Sequence, residues 1–97
     1  MSCKKETLIT SQLELLTTFS IDVPEPSGLA INSSGTILYT VSDHTNKVYK
    51  LTTSGVVLQI FDFTGNDLEG VCNYTNGKLL LAEERTKNII ELTMLTG

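Results

Sequence analysis

The stretch Asp67-Leu68-Glu69-Gly70-Val71 repeats the stretch Glu25-Pro26-Ser27-Gly28-Leu29 at a distance of 42 residues. The likeness continues downstream, because Gly35 recurs as Gly77 and the run 48–52 (VYKLT) recurs as 89–93 (IIELT), now at a distance of 41 residues. A period of roughly 40 to 45 residues, with several short strands in each unit, is typical of β-propeller blades. The sequence therefore predicts an all-β fold built from four-stranded antiparallel blades.

The chain has 97 residues, which is enough for about two blades. Turn residues divide the sequence into a first blade over about residues 28–63 and a second over about 70–95 that lacks its last strand. Closed propellers use roughly four to eight blades, so we expect a partial β-propeller over residues 13–97. A polar N-terminal tether is predicted over residues 1–12.

A further strand is predicted ahead of the first blade. Apolar and threonine side chains alternate with polar ones from Leu13 to Ile21, which is the period of a half-buried strand. Pro24 and Pro26 then interrupt pairing, since proline has no N–H to donate. We expect the strand over 13–21 to complete another blade. Two arrangements remain open: a longer polypeptide supplies that blade, or three chains form a homotrimer with six complete blades.

The first residues carry a separate signal. Ser2 precedes Cys3 and the polar run Lys4-Lys5-Glu6 follows, as at the processing site of a bacterial lipoprotein whose cysteine receives a lipid. This interpretation places the protein in the bacterial cell envelope, either anchored to the membrane through Cys3 or periplasmic. The alternative is that Cys3 is an incidental residue of the N-terminal segment. No stretch approaches the roughly 18 to 20 apolar residues of a membrane helix.

The net charge and the two cysteines limit which partners and which chemistry we expect for the chain. The formal net charge is −4, so the chain offers no basic surface for nucleic acid, and metal cations or polar small molecules fit it better. The two cysteines, Cys3 and Cys72, have neither the spacing of metal ligands nor a disulfide framework. Cys72 is expected to be a small hydrophobic residue packed in a strand.

Acidic residues are the candidate functional groups. In each blade the residue that enters the first strand and the residue that leaves the second lie at the same rim, because the two strands are antiparallel. A cluster of carboxylates at that rim suits a hard cation such as calcium, which takes roughly six to eight oxygen ligands. The predicted metal ligands are Glu69, Glu25 and Glu83, with Asp43, Asp67 and Glu84 as weaker candidates.

These candidates differ in how strongly the sequence supports them. For Asp43 and Asp67 we favour solvated loop carboxylates, which is the usual state of acidic side chains. Glu69 has stronger support, because it lies where the chain enters the packed inner strand. Glu83 and Glu84 are neighbours at the end of a strand and point to opposite faces, so only one of them can reach the central site.

Two further residues lie near the same rim. Arg85, like a bound cation, would neutralise the cluster of carboxylates. His44 is the only histidine, and we expect it to be an exposed turn residue rather than a general base. The sequence contains no nucleophile elbow, phosphate-binding loop or paired-histidine metal motif.

Several of these motifs, taken in order, resemble the SdiA-regulated (YjiK-like) proteins of bacteria. The similar stretches fall between about residues 25 and 93 and are 25–30 (EPSGLA), 38–43 (LYTVSD), 48–51 (VYKL), 67–71 (DLEGV) and 81–85 (LAEER). The resemblance implies a six-bladed propeller, similar in shape to phytase-like and NHL-type propellers, that is exported or membrane-associated and holds a cation in its central funnel. The chain covers about a third of such a propeller.

Two classes of function follow from these observations. In the first, the chain belongs to an envelope-anchored binding or scaffold module, with a calcium-type cation at a rim that recognises a small polar ligand or an envelope protein. In the alternative, it belongs to a cation-dependent hydrolase of an ester, lactone or phosphoester, in which the metal polarises the reacting oxygen. We favour the binding module, because one histidine and the carboxylates are the only bases near the predicted metal. Whether the protein is an enzyme stays open at this point.

Overall fold

The computed structural model of the protein describes residues 12–75 and 77–94. Within this part of the chain the structure is all-β, with seven strands and no helix. The strands are β1 (Pro26–Ile31), β2 (Ile37–Ser42), β3 (Lys47–Thr52), β4 (Val57–Thr64), β5 (Leu68–Asn73), β6 (Lys78–Glu83) and β7 (Asn88–Thr93). They form a four-stranded antiparallel sheet, β1-β2-β3-β4, and a three-stranded antiparallel sheet, β5-β6-β7. The predicted fold class is confirmed. We call the four-stranded sheet blade 1 and the three-stranded sheet blade 2.

The repeat in sequence is also a repeat in backbone conformation. The residue immediately before the first strand has a positive φ in both blades, 43° at Glu25 and 55° at Asp67. The turn between the second and third strands of each blade also contains a residue with a positive φ, which is 58° at both Asn46 and Lys87. Non-glycine residues rarely adopt this conformation, so its return at matching positions shows that the two blades follow one plan.

The hydrophobic core lies between the two blades. Apolar residues of both contribute, and the buried cluster contains Ala30, Tyr39, Val41, Val48, Leu68, Leu79 and Leu81. Alternation along β6 directs Leu79 and Leu81 into this core, where each is 1% exposed. Burial of a leucine side chain stabilises a fold by about 1.5 to 3 kcal/mol, so the contact between the blades is a main source of stability.

The inner strands of the two blades approach each other at Gly28. A Cβ atom on this residue would lie 3.2 Å from the Cα of Gly70 and 3.2 Å from the backbone nitrogen of Val71. Gly28 also has a φ of +76°, which glycine adopts without steric cost. Both space and conformation therefore require glycine here, and the close approach brings β1 beside β5.

Residues 12–22, which precede blade 1, contain no strand. Residues 12–22 form no ladder with the described part of the chain, so the blade that residues 13–21 are expected to complete stays a prediction. The end of the segment nevertheless packs on blade 1, where Ile21 and Val23 join a cluster with Tyr49 and Leu51. Farther upstream the leucine side chains are exposed, as at Leu15, with 82% of its surface accessible.

The remaining expectations differ in small ways from the structure. Blade 1 spans residues 26–64 instead of 28–63, because Pro26 begins a strand, a position where proline is tolerated. Blade 2 spans residues 68–93 instead of 70–95. The predicted burial of Cys72 is wrong: it is exposed, because it lies on the opposite face of β5 from Val71, which packs against the core. The tether and Cys3 lie outside the described residues, apart from residue 12.

Candidate functional site

Backbone hydrogen bonds bring acidic residues to one rim of each blade. The N–H of Asp43 donates to the carbonyl of Glu25 at 3.0 Å, and the N–H of Glu84 donates to the carbonyl of Asp67 at 3.1 Å. Both bonds join the residue ahead of a first strand to the residue that follows the second strand. The structure thus places these four residues at the rim where the sequence analysis expects them.

Three carboxylates from the two blades converge at this rim. Asp43, Asp67 and Glu69 each offer a carboxylate oxygen, and these oxygens lie within 4.8 Å of one another. Asp43 follows β2, Asp67 precedes β5 and Glu69 belongs to β5, so the group spans the junction between the blades. All three residues are half-buried. We call Asp43, Asp67 and Glu69 the acidic cluster.

The surroundings of the acidic cluster favour protonation of its members. Partial burial, followed by the charge of Asp67 and a hydrogen bond to it, raises the pKa of Asp43 above its ordinary value of 3.8. Partial burial, followed by the charges of Asp43 and Glu84, raises the pKa of Glu69 above 4.5. Desolvation and like charges both disfavour the ionised form. A cation in the cluster would reverse the effect of the like charges.

Charged groups border the acidic cluster on its exposed side. Arg85 approaches it from solvent, with its Nε 3.9 Å from Oδ2 of Asp67 and its side chain 79% exposed. The imidazole of His44, an exposed turn residue as predicted, lies 4.0 Å from the carboxylate of Glu25. Glu25 and Glu84 are close enough to contribute to the raised pKa of Asp43. The carboxylates of Glu25 and Glu84 therefore lie at the edge of the acidic cluster.

Glu83 is separate from the acidic cluster and has other partners. It is 7% exposed, and its Oε2 accepts a hydrogen bond from the N–H of Asn66 at 2.8 Å. Its Oε1 accepts from the hydroxyl of Thr86 at 2.8 Å and from the side-chain amide of Asn88 at 3.2 Å. These bonds, the one from Thr86 first, lower the pKa of Glu83 below 4.5. Of the two neighbouring glutamates, Glu84 is therefore the one beside the cluster.

The repeat explains why Glu83 accepts hydrogen bonds within the fold instead of joining the acidic cluster. Its counterpart in blade 1 is Ser42, which is fully buried and donates to the carbonyl of Pro24 at 2.5 Å while accepting from the N–H groups of residues 44 and 45. Glu83 makes the matching connection through the N–H of Asn66, which corresponds to Pro24. Each of these side chains connects the segment that precedes a blade with the turn after the second strand of that blade. The position therefore has a structural role.

Two polar residues of the rim are not among the sequence candidates. The hydroxyl of Ser27 donates to the carbonyl of Glu69 at 3.2 Å and lies 3.5 Å from its Oε1. The side-chain oxygen of Asn46 accepts from the N–H of Leu68 at 3.0 Å, which holds the start of blade 2 against blade 1. The repeat contains a signal for Ser27, because it is the counterpart of Glu69 and matching positions of adjacent blades lie side by side.

The donor atoms of the acidic cluster define which ions would fit. All three residues supply carboxylate oxygens, which suit calcium, magnesium or manganese, whereas zinc and copper sites in proteins usually contain nitrogen or sulfur ligands. Three carboxylates provide up to six oxygens when each binds through both, and calcium takes roughly six to eight. The cluster therefore fits a hard divalent cation, with water or a ligand group completing the shell.

Almost the whole chain matches a family of known proteins. The sequence model of the SdiA-regulated family covers residues 10–96. The chain belongs to the SdiA-regulated family. This membership confirms the resemblance seen in residues 25–93, and it extends the similarity into the segment ahead of blade 1. No curated protein matches the chain.

Proposed function

We propose that this chain is part of a β-propeller module that binds calcium at the acidic cluster and acts as a binding or scaffold module. The observation that carries the proposal is the convergence of carboxylate oxygens from Asp43, Asp67 and Glu69 within 4.8 Å. One of these residues comes from blade 1 and two from blade 2, so a cation held by all three would also join the blades.

The electrostatics of the acidic cluster favour a bound cation over solvated carboxylates. Half-burial and mutual repulsion raise the pKa values of Asp43 and Glu69, so ionisation of these carboxylates without a cation is unfavourable compared with carboxylates in water. A divalent cation replaces that repulsion with attraction. The bond from Ser27 to the backbone of Glu69 helps to hold this residue beside the other two.

The position of the acidic cluster indicates how it would serve recognition. The residues that border it, Glu25, His44, Glu84 and Arg85, are exposed at the same rim. A cation with unfilled coordination positions there would bind an oxygen of a small polar ligand or of an envelope protein, and Arg85 would add a donor for a carboxylate or phosphate group.

Titration of the full chain with calcium, followed by calorimetry, tests the proposal. Glu69→Gln should weaken calcium binding by about tenfold or more, because one of three anionic ligands is lost. Affinity should also fall as the pH is lowered, and the fall should begin above the range of ordinary carboxylates, since protons compete for groups whose pKa values are raised. Asp62→Asn, an exposed change on β4, is the matched control and should bind like the unmodified chain.

Two results would contradict the proposal. One is the absence of calcium binding at millimolar concentration, and the other is an unchanged affinity in Glu69→Gln.

Glu69→Gln, together with His44→Ala, tests the hydrolase alternative, which the position of His44 at the rim supports. Calcium-dependent hydrolysis of a chromogenic ester, lactone or phosphoester that is lost in both Glu69→Gln and His44→Ala would favour the enzyme over the binding module.

Attachment to the cell envelope is the second part of the proposal. It rests on Ser2-Cys3 and the polar residues that follow, which match a lipoprotein processing site. The described residues include no helix long and apolar enough to cross a membrane. Labelling of bacterial cells with a fatty-acid analogue tests the anchor: the full-length product should be labelled, and Cys3→Ser should abolish the label.

A further inference from the structure

We propose that Asn46 is a positioning residue for the acidic cluster. It holds the segment 65–68, which enters blade 2, and thereby places Asp67 beside the other two carboxylates. Asn46 lies in the turn between β2 and β3 of blade 1, so it acts on Asp67 from the neighbouring blade. The consequence for cation binding rests on the function proposed above, whereas the placement of Asp67 is a property of the chain alone.

Two hydrogen bonds from blade 1 hold the segment 65–68 on both sides of Asp67. The backbone carbonyl of Asn46 accepts from the N–H of Gly65 at 2.7 Å. The side-chain oxygen of Asn46 accepts from the N–H of Leu68 at 3.0 Å. Leu68 is fully buried, so its N–H is shielded from water and depends on this acceptor.

Blade 2 holds the two residues in between. The N–H of Asn66 donates to Oε2 of Glu83 at 2.8 Å, and the carbonyl of Asp67 accepts from the N–H of Glu84 at 3.1 Å. Asp67 has a positive φ of 55°, a conformation that non-glycine residues keep only where the surrounding contacts enforce it. The bond from Asn46 completes these contacts, because it binds the N–H immediately after Asp67.

Comparison of the two blades shows that the acceptor, and not the conformation of the turn, distinguishes Asn46. Its counterpart in blade 2 is Lys87, which has the same φ of 58° but a side chain without an acceptor. The counterpart of Leu68 in blade 1 is Pro26, which has no N–H. The side-chain oxygen of Asn46 is therefore matched to a donor that the entry to blade 2 has and the entry to blade 1 lacks.

Loss of this acceptor should act on the acidic cluster through Asp67. Asp43 directly follows β2 and Glu69 belongs to β5, whereas Asp67 lies outside the strands, in the segment that Asn46 holds. A buried N–H without a partner is unfavourable, so the segment should rearrange and turn Asp67 away from the other two carboxylates. Removal of a residue that orients metal ligands commonly weakens metal binding by about 10- to 100-fold.

Amide hydrogen exchange and calcium titration of the full chain together test the inference. Asn46→Gly keeps the positive φ without steric cost but removes the acceptor. In this variant, and without calcium, the N–H of Glu84 should exchange about tenfold faster or more, because its acceptor is the carbonyl of the displaced Asp67. The affinity for calcium should be weaker by about tenfold or more.

Two further variants separate positioning from general stability. Asn46→Asp retains a side-chain oxygen and tolerates a positive φ, so it should restore both the slow exchange of Glu84 and the affinity for calcium. Gly35→Ala is strained by its φ of +73° but lies in a different turn, between β1 and β2. It should lower the stability of the protein and leave both measurements close to those of the unmodified chain, because exchange near a turn follows local opening.

A measurement on the unmodified chain avoids dependence on the folding of any variant. A scalar coupling across the hydrogen bond is expected in the NMR spectrum, between the amide nitrogen of Leu68 and the side-chain carbonyl carbon of Asn46. Absence of this coupling would show that the contact does not form in solution, and the inference would be wrong.

Four results from the variants would also overturn the inference. The first is exchange of Glu84 in Asn46→Gly as slow as in the unmodified chain, with or without calcium binding. The second is an unchanged calcium affinity in Asn46→Gly, and the third is an Asn46→Asp chain that behaves like Asn46→Gly. The fourth is an equal loss of affinity in Gly35→Ala. Fast exchange in Asn46→Gly, in a protein that binds no calcium, would contradict the proposed function and support the positioning of Asp67.

Discussion

At the scale of single residues, hydrogen-bond donors decide which acidic side chains are structural. Glu83 accepts from three donors, one of them the backbone N–H of Asn66, and its pKa is lowered. Glu69 is partly buried beside the carboxylates of Asp43 and Glu84, and its pKa is raised. Hydrogen bonds favour the charged form, whereas desolvation and like charges disfavour it. Opposite shifts therefore distinguish a residue that stabilises the fold from one suited to a cation.

Glu83→Gln should destabilise the protein. The amide replaces one acceptor oxygen with a donor, so at least one of the bonds from Asn66, Thr86 and Asn88 is lost while the site remains buried. We expect the midpoint of thermal unfolding at neutral pH to fall by about 5 °C or more. Circular dichroism measures this shift. Glu84→Gln, a change at the exposed neighbouring residue, is the control and should leave the midpoint unchanged or slightly raised.

The ionisation of Glu83 should also make the stability of the protein depend on pH. The folded-state pKa of Glu83 is below its ordinary value of 4.5, so the unfolded state binds the proton first as the pH falls. The stability that Glu83 contributes is therefore fully present above about pH 4.5 and is lost as the pH falls through the lowered pKa. The difference in midpoint between the unmodified chain and Glu83→Gln should shrink in this window. A constant difference would contradict the assignment.

At the scale of strands, the approach of β1 to β5 determines the spacing of the two blades. Gly28 has no room for a side chain, because a Cβ would lie 3.2 Å from backbone atoms of both Gly70 and Val71. Backbone atoms cannot move aside as the end of a flexible side chain can, so the neighbouring strand itself would have to shift. The acidic cluster draws on residues at the start of β5, and its geometry therefore depends on this contact.

Gly28→Ala should cost more stability than a glycine substitution in open space. Gly35 is the matched control, because it has a similar φ of +73° but nothing within 4 Å of a Cβ. Alanine at Gly35 incurs only the steric strain of a Cβ at positive φ, about 1 to 2 kcal/mol. Alanine at Gly28 adds a clash between strands, so its free energy of unfolding in urea should be lower by about a further 1 to 3 kcal/mol. Equal losses in the two variants would show that the blades are free to separate.

At the scale of the whole molecule, two blades leave apolar surface on both outer faces. Leu58 and Ile60 of β4 are 51% and 54% exposed, and Ile89 of β7 is 72% exposed. Exposed apolar patches and open sheet edges are typical of surfaces that contact another protein or another blade.

Much of this architecture was predictable from sequence, because a propeller repeats a local pattern. The spacing of Gly28 and Gly70 and the alternation within each strand determine the number of blades and the strand order. Antiparallel neighbours also place Glu25, Asp43, Asp67 and Glu84 at one rim, since that follows from topology alone. The sequence also predicts a strand over residues 13–21, but these residues pair with no strand in the described part of the chain.

The tertiary structure decided which carboxylates can act together. Glu83 and Glu84 are adjacent in sequence, but Glu83 accepts hydrogen bonds from Asn66, Thr86 and Asn88. The bond from Asn66 joins residues 17 positions apart. Asp43 and Asp67 join Glu69 because two blades pack closely at glycine, a distance that periodicity does not encode. Local pattern thus determines which elements form, whereas the identity of a site depends on long-range contacts, whose geometry arises only when the blades pack.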